Sequence, residues 1–225
     1  EALYAAVSEN TCAIMLEPVQ GESGVHPVTD EYLKAVKKLC DDKGLLLIFD
    51  EIQTGLCRTG KLFAYQHSGI EPDIFTLAKA LGGGVPIGAI CAKEHVAQAF
   101  EPGDHGSTFG GNPLACAVGL SVMDAILEEN LVEKACTMGK YFRDCLSSLA
   151  QKHPIITEIR GKGLMIGIQL KSDKAVEIKN KCFERGYLIG NVGGNIIRLL
   201  PPLIVSKEDI EGFIKILDEV LEGLD

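Results

Sequence analysis

The sequence predicts an α/β protein in which a mainly parallel sheet is followed by a smaller α+β domain. Three observations carry that expectation. In the first part of the chain, short apolar runs alternate with amphipathic stretches of helical period, the pattern of strands joined by crossover helices. Two of the runs, "LLLIF" and "DIFTL", show no polar alternation, as expected of strands covered by helices on both faces. Near residue 131 the pattern changes to strand pairs interleaved with helices, so the domains are expected at 1–130 and 131–225.

The elements follow in order. Residues 12–16 are expected to be the first strand. "TDEYLKAVKKLCDDKG" reads as a helix: Thr29 or Asp30 caps its start, Leu33, Val36 and Leu39 share one face, and Gly44 supplies the left-handed stop. Residues 45–49 and 73–77 are buried strands, 61–67 a short helix between them, and 87–92 a further strand. Two amphipathic helices are expected at 112–128 and 132–150. The second domain should hold strands at 155–160 and 164–170, a helix at 174–185, a strand pair at 187–189 and 196–199, and a last helix at 207–221.

At 225 residues and 46% hydrophobic composition the chain can bury a substantial core. A net charge of −9 with no basic stripe argues against a general binder of nucleic acid or anionic membrane. The eight cysteines are scattered singly without a C-x-x-C pair, which argues for buried thiols in a reducing compartment and against a disulfide framework or a metal cluster. No signal-peptide pattern or apolar run of spanning length is visible, so a cytoplasmic address is expected. The chain starts at Glu1, which suggests a segment or a processed product.

The stretch "GLLLIFDEIQTG" delivers Asp50 and Glu51 to the exit of a buried strand. A P-loop nucleotidase uses such a strand to hold Mg²⁺, but it also needs a G-x-x-x-x-G-K-[ST] loop. "GGGVPIG" lacks the lysine and the hydroxyl, and "GKG" at Gly161 has the wrong spacing. Taken alone, Asp50 is equally a turn or capping carboxylate. A second buried strand in "PDIFTLAKALGGG" ends just before Lys79. Parallel strands joined by a crossover put both C-terminal ends at one edge, so Asp50 and Lys79 should face one crevice. Pyridoxal phosphate suits that pair: it forms a Schiff base with a lysine amine, and an adjacent carboxylate keeps its pyridine nitrogen protonated. The lysine, once freed by substrate, is a general base and acid for proton transfer.

"EPVQGESGV", "LLLIFDEIQTGLCRTG", "PDIFTLAKALGGGVPIGA", "HGSTFGGNPLACA" and "IIRLLPPLIV" stand in the order found in class III aminotransferases, and the chain resembles the acetylornithine branch of that family, through "HGSTFGGNPLACA" above all. The resemblance implies fold type I, with a partial large domain and a C-terminal small domain, pyridoxal 5'-phosphate as cofactor, and a homodimer with shared sites. It makes Lys79 the Schiff-base lysine, Asp50 the partner of the ring nitrogen and Gln53 a contact of the phenolic oxygen. Thr108, with Ser107 beside it, would donate to the cofactor phosphate across the dimer interface; without the resemblance this loop reads equally as the cap of the helix starting near Asn112.

Arg198 suits bidentate capture of a substrate carboxylate, with an interdomain ion pair as the alternative. In the family pattern Glu22 pairs with this arginine, which suggests a gate that masks Arg198 for an ornithine-type donor and swings away for glutamate. Glu17, Arg58 and Arg160 are expected to be structural. The implied reaction moves the δ-amine of N-acetylornithine to 2-oxoglutarate, as in arginine biosynthesis. Ornithine, succinylornithine, succinyl-diaminopimelate or 4-aminobutyrate as donor, and an aminomutase, are the alternatives. The phosphate-binding Gly/Ser/Thr loop and ring-stacking aromatic of the family lie upstream of everything seen here. A fragment lacking them is expected to expose sheet edges and apolar faces, and a further alternative is that alone it binds the cofactor weakly or not at all and has no activity.

Overall fold

The computed structural model describes residues 1–224; Asp225, the last residue of the expected second domain, lies outside them. A short helix α1 (Ala2–Ala6) leads into strand β1 (Ala13–Leu16) and a two-residue-strand hairpin, β2 (Val19–Gln20) and β3 (His26–Pro27). Helix α2 (Asp30–Lys43), strands β4 (Leu46–Asp50), β5 (Ile74–Leu77) and β6 (Ala89–Ala92), and the single-turn α3 (Glu94–Ala97) follow. Two long helices, α4 (Pro113–Glu128) and α5 (Leu131–Lys152), lead to β7 (Ile156–Lys162), β8 (Met165–Leu170), α6 (Ala175–Glu184), β9 (Gly190–Val192), β10 (Ile196–Leu199) and α7 (Lys207–Glu222). Among the described residues no helix is long and apolar enough to cross a membrane.

The first sheet has the order β1-β4-β5-β6. β1 and β5 both lie parallel to β4, and β6 runs antiparallel to β5, so the sheet is mixed and mostly parallel. Helix α2 forms where the sequence predicts: Thr29 accepts a bond from Tyr32 N–H, and Gly44 ends the helix at φ 67° with its N–H on Cys40 O. Its apolar face, Leu33, Val36 and Leu39, packs with Ile14, Leu47 and Phe49 of the strands. On α4, Asn112 caps Ala115 N–H and Pro113 occupies the first turn. The second sheet is antiparallel, in the order β7-β8-β10-β9. Its core joins Ile166, Ile168 and Ile197 to Phe142, Leu146, Ile178, Phe213 and Leu217 of α5, α6 and α7.

Two expected elements differ. The strand expected at 187–189 is a loop, and β9 begins at Gly190. Tyr187 N–H closes α6 on Cys182 O, its ring packs on Phe213, and the hairpin register pairs Ile196 with Val192 and Arg198 with Gly190. The helix expected at 61–67 shrinks to one 3-10 turn, Ala64–His67. Ala64 and Tyr65 N–H, the first donors of that turn, are taken by the Glu51 carboxylate at 2.9 and 2.8 Å.

The two sheets are joined through backbone. Arg58 donates to Leu164 O at 3.2 Å and to Pro201 O at 2.6 Å. Gly163, in the β7–β8 turn at φ 53°, lies against the main chain of Thr59, where an added Cβ would sit 2.3 Å from a carbonyl carbon. A Cβ on Gly139 of α5 would meet Gly163 O at 2.1 Å, so two main-chain segments and a helix touch with no side chain between them.

Candidate active site

Asp50 ends β4 opposite Thr76 of β5. Its Oδ1 accepts from Ile52 N–H at 2.9 Å and from Thr76 Oγ1 at 3.1 Å, while Oδ2 has no hydrogen-bond partner among the described residues. Glu51, next in the chain, points into the core with 1% exposure. It accepts from Thr54 Oγ1 at 2.5 Å as well as from Ala64 and Tyr65. Burial pushes its carboxyl above the usual range, and the three donors partly offset this. Glu51 is thus structural, and Asp50 alone is left available at the strand end.

Lys79 lies three residues beyond Thr76, in the first position of the 3-10 turn that follows β5. It has a φ of 48°, a left-handed conformation uncommon outside glycine and of the kind found at functional sites, at a cost of order 1–3 kcal/mol. The residue is exposed and makes no ion pair among the described residues.

Gln53 connects this edge to the second sheet. Its Nε2 donates to Glu22 Oε1 at 3.0 Å, and the same oxygen accepts from Arg198 Nη1 at 2.7 Å. Arg198 Nη1 also donates to Gly21 O at 3.1 Å, and Glu17 Oε2 holds Gly21 N–H at 3.2 Å. Gln53 Oε1 is buried without a partner among the described residues, packed where a Cβ on Gly21 would lie only 2.1 Å away. The Arg198 and Gln53 hydrogen bonds hold the Glu22 carboxyl below its usual range, the charge of Arg198 adds to this, and Lys79 contributes a smaller attraction. Glu22, Gln53 and Arg198 are therefore one bonded group.

Ser107 and Thr108 stand apart. The loop 105–111 is exposed throughout. Ser107 Oγ accepts from Gly110 N–H at 2.9 Å, and neither residue bonds to Asp50, Gln53 or Lys79. Sequence reasoning missed Thr76, which steers Asp50, and Gly21, which makes room for Gln53. Thr76 had a visible signal, as the one hydroxyl in the apolar run "DIFTL".

A carboxylate and an amine at one edge of a mostly parallel α/β sheet, linked through Gln53 and Glu22 to an arginine of an antiparallel sheet, agree with the class the family match gives, a pyridoxal-phosphate-dependent transferase. The residues fit that cofactor: among the described residues Asp50 Oδ2 and the Lys79 amine have no partner, so the one could meet a ring nitrogen and the other an aldehyde. Residues 1–221 match the family model Aminotransferase class-III, and the chain belongs to that family. It is 56% identical over 224 residues to an acetylornithine aminotransferase of Caldanaerobacter subterraneus, covering 100% of this chain and 57% of that protein. An ornithine aminotransferase of Oceanobacillus iheyensis is 47% identical over 221 residues, 98% of this chain and 55% of that protein. The crystal structure of acetylornithine aminotransferase from Elizabethkingia anophelis superposes with a TM-score of 0.89 at 41% identity, over 94% of this chain and 54% of that one. The chain thus spans little more than half the length of the relatives it matches.

Proposed function

We propose that the complete protein transfers the δ-amine of N-acetylornithine to 2-oxoglutarate, giving N-acetylglutamate semialdehyde and glutamate in arginine biosynthesis. The observation that carries this reading is the Glu22–Arg198 pair, held by Gln53 on the turn that follows Asp50. A site that serves a dicarboxylate and a donor with a different head group needs a cation that can be covered and uncovered. Glu22 covers Arg198 for the amino donor and releases it for the carboxylate of glutamate or 2-oxoglutarate.

When bound, pyridoxal 5'-phosphate supplies an electron sink for the substrate carbon that loses its proton. Lys79 would hold the cofactor through its amine and, once freed by substrate, would serve as the base and acid that moves the substrate proton. Asp50 keeps the ring nitrogen protonated, with its own orientation fixed by Thr76 and Ile52 N–H. Gln53 would stand at the phenolic oxygen. Thr108, assisted by Ser107, donates to the phosphate in a neighbouring subunit of a cytoplasmic homodimer. Residues 1–130 are the C-terminal part of the large domain and 131–225 the small domain.

Supporting the dimer, α4 and its flanks leave Phe109, Leu114, Leu120 and Leu127 at least 62% exposed, an apolar surface of the kind proteins cover with a partner. A second reading, ornithine as donor, is supported by the relative that bears that name. Borohydride reduction of the complete protein followed by peptide mass analysis should place the pyridoxyl label on Lys79. Comparison of kcat/KM for N-acetylornithine and ornithine decides between the donors, and equal kinetics of Glu22→Gln and wild type in both half-reactions would remove the gate.

A further inference from the structure

The hairpin that carries Glu22 is anchored at its base, where Val19 and Val25 are fully buried against Met165, but the turn between them is not. Its strands are two residues each and the Glu22 side chain is 73% exposed, so beyond its bonds to Gln53 and Arg198 the carboxylate depends on the backbone of residues 20–25 for its position. That backbone is strained at one residue: after Gly24, whose φ of 121° only glycine adopts readily, Val25, a β-branched residue, has φ 59° while fully buried. A β-branched residue stays in the left-handed region only where its surroundings fix it there.

Arg160 provides that fixation. It lies in β7 with its side chain 8% exposed, and its Nε donates to both Gly24 O at 3.0 Å and Val25 O at 3.1 Å. The rest of the guanidinium is occupied by Glu158 Oε2 at 2.9 Å and Gln169 Oε1 at 3.3 Å, so the fork cannot turn away without losing several bonds. Gly167 of β8 packs beneath, where an added Cβ would lie 2.9 Å from Gly24 O. The second sheet, which bears Arg198, thus also fixes the turn that presents Glu22 to it.

We propose that Arg160 is a positioning residue for the Glu22–Arg198 pair: it holds the strained turn so that Glu22 covers Arg198, and so sets how readily a substrate dicarboxylate gains that arginine. The inference rests on the gate described above and names the group that adjusts it. Loosening the turn uncovers Arg198 without touching either member of the pair.

The test uses the complete, cofactor-loaded enzyme with Glu22→Gln, Arg160→Gln, Arg160→Lys and the Glu22→Gln/Arg160→Gln double variant. Calorimetry measures the Kd of glutarate, a dicarboxylate that cannot react. Glu22→Gln should tighten glutarate about tenfold, Arg160→Gln should tighten it by a smaller factor, and the double variant should match Glu22→Gln alone, because both changes act through one pair. Arg160→Lys, which loses the planar donor, should behave like Arg160→Gln, and it decides the matter if the glutamine variant does not fold. A glutarate Kd that responds to Glu22→Gln but not to either Arg160 variant overturns the role of Arg160 and leaves the gate standing, as does a double variant whose effects add in full. No response to Glu22→Gln overturns the gate and the proposal with it.

Discussion

The Glu22–Gln53–Arg198 group and the Ser107–Thr108 loop are both expected at the site, yet the chain treats them in opposite ways. The first is tied by hydrogen bonds at 2.7 to 3.1 Å across 176 residues of sequence and between two sheets. The second is exposed along its whole length and bonded only within itself and to Asn112 at the start of α4. One region completes its geometry within a single chain; the other presents hydroxyls and apolar side chains outward. On the function proposed above, substrate selection would be a property of the folded subunit and phosphate capture a property of its assembly.

The largest expected effect sharpens the self-contained side. Lys79→Ala in the complete enzyme should lower kcat by at least about 10³-fold, as loss of the proton-transferring group does, and should abolish the borohydride-stable label. Retained labelling would place the cofactor elsewhere.

Next comes the support beneath Asp50. Glu51→Ala leaves three buried donors unpaired and should destabilise the protein by roughly 2–4 kcal/mol in chemical denaturation. Because burial raises the Glu51 pKa, the folded protein holds this proton more firmly than the unfolded chain does. Its contribution is therefore greatest at low pH and declines as pH rises through the window between the unfolded and folded values. Glu51→Gln should flatten that part of the stability profile, and a profile that keeps its slope would contradict the assignment.

A smaller change addresses the outward-facing region. Leu120→Asp on α4 should shift the complete protein toward monomer in analytical ultracentrifugation and weaken cofactor retention, and Thr108→Ala should weaken retention with the subunits still paired. If the monomer keeps its cofactor fully, the phosphate contact lies within one chain and the contrast fails.

The smallest effect concerns the clasp between α5 and α7, where Asp218 accepts from His153 at 2.6 Å and Lys152 at 2.5 Å. The His153 bond, then that of Lys152, holds the Asp218 carboxyl below its usual range. Its stabilisation is present above the unfolded carboxylate value and is lost as pH falls through the depressed folded value. Asp218→Asn should slightly lower the thermal midpoint at neutral pH, with the difference from wild type vanishing in acid.

How much was legible in the sequence depended on whether a feature is local. Thr29 and Gly44 mark the ends of α2 because capping is written in adjacent residues. The strands carrying Asp50 and ending before Lys79 stand out as unbroken apolar runs, and crossover topology alone brings their ends together. The β2–β3 hairpin left no trace, since two-residue strands have no period and the left-handed residue at its end is a valine. Apolar Tyr187, Leu188 and Ile189 resemble a strand, but the ladder is set by the short turn after Val192. Arg58 and Arg160 were expected to be structural and do bind backbone carbonyls; which carbonyls cannot be read from residue identity, because every residue has one.

The contact of Gly163 with the main chain beyond Arg58 acts as a bearing without a bushing. Where two bodies meet through side chains, each substitution shaves or pads the gap and the angle between them drifts by degrees over generations. Here main chain rests on main chain, and the smallest available change, one methyl group, is already too large. The distance from the Asp50 turn to the sheet bearing Arg198 is therefore fixed, and if that space holds the proposed substrate, a change in its length would have to be met by the side chains between them.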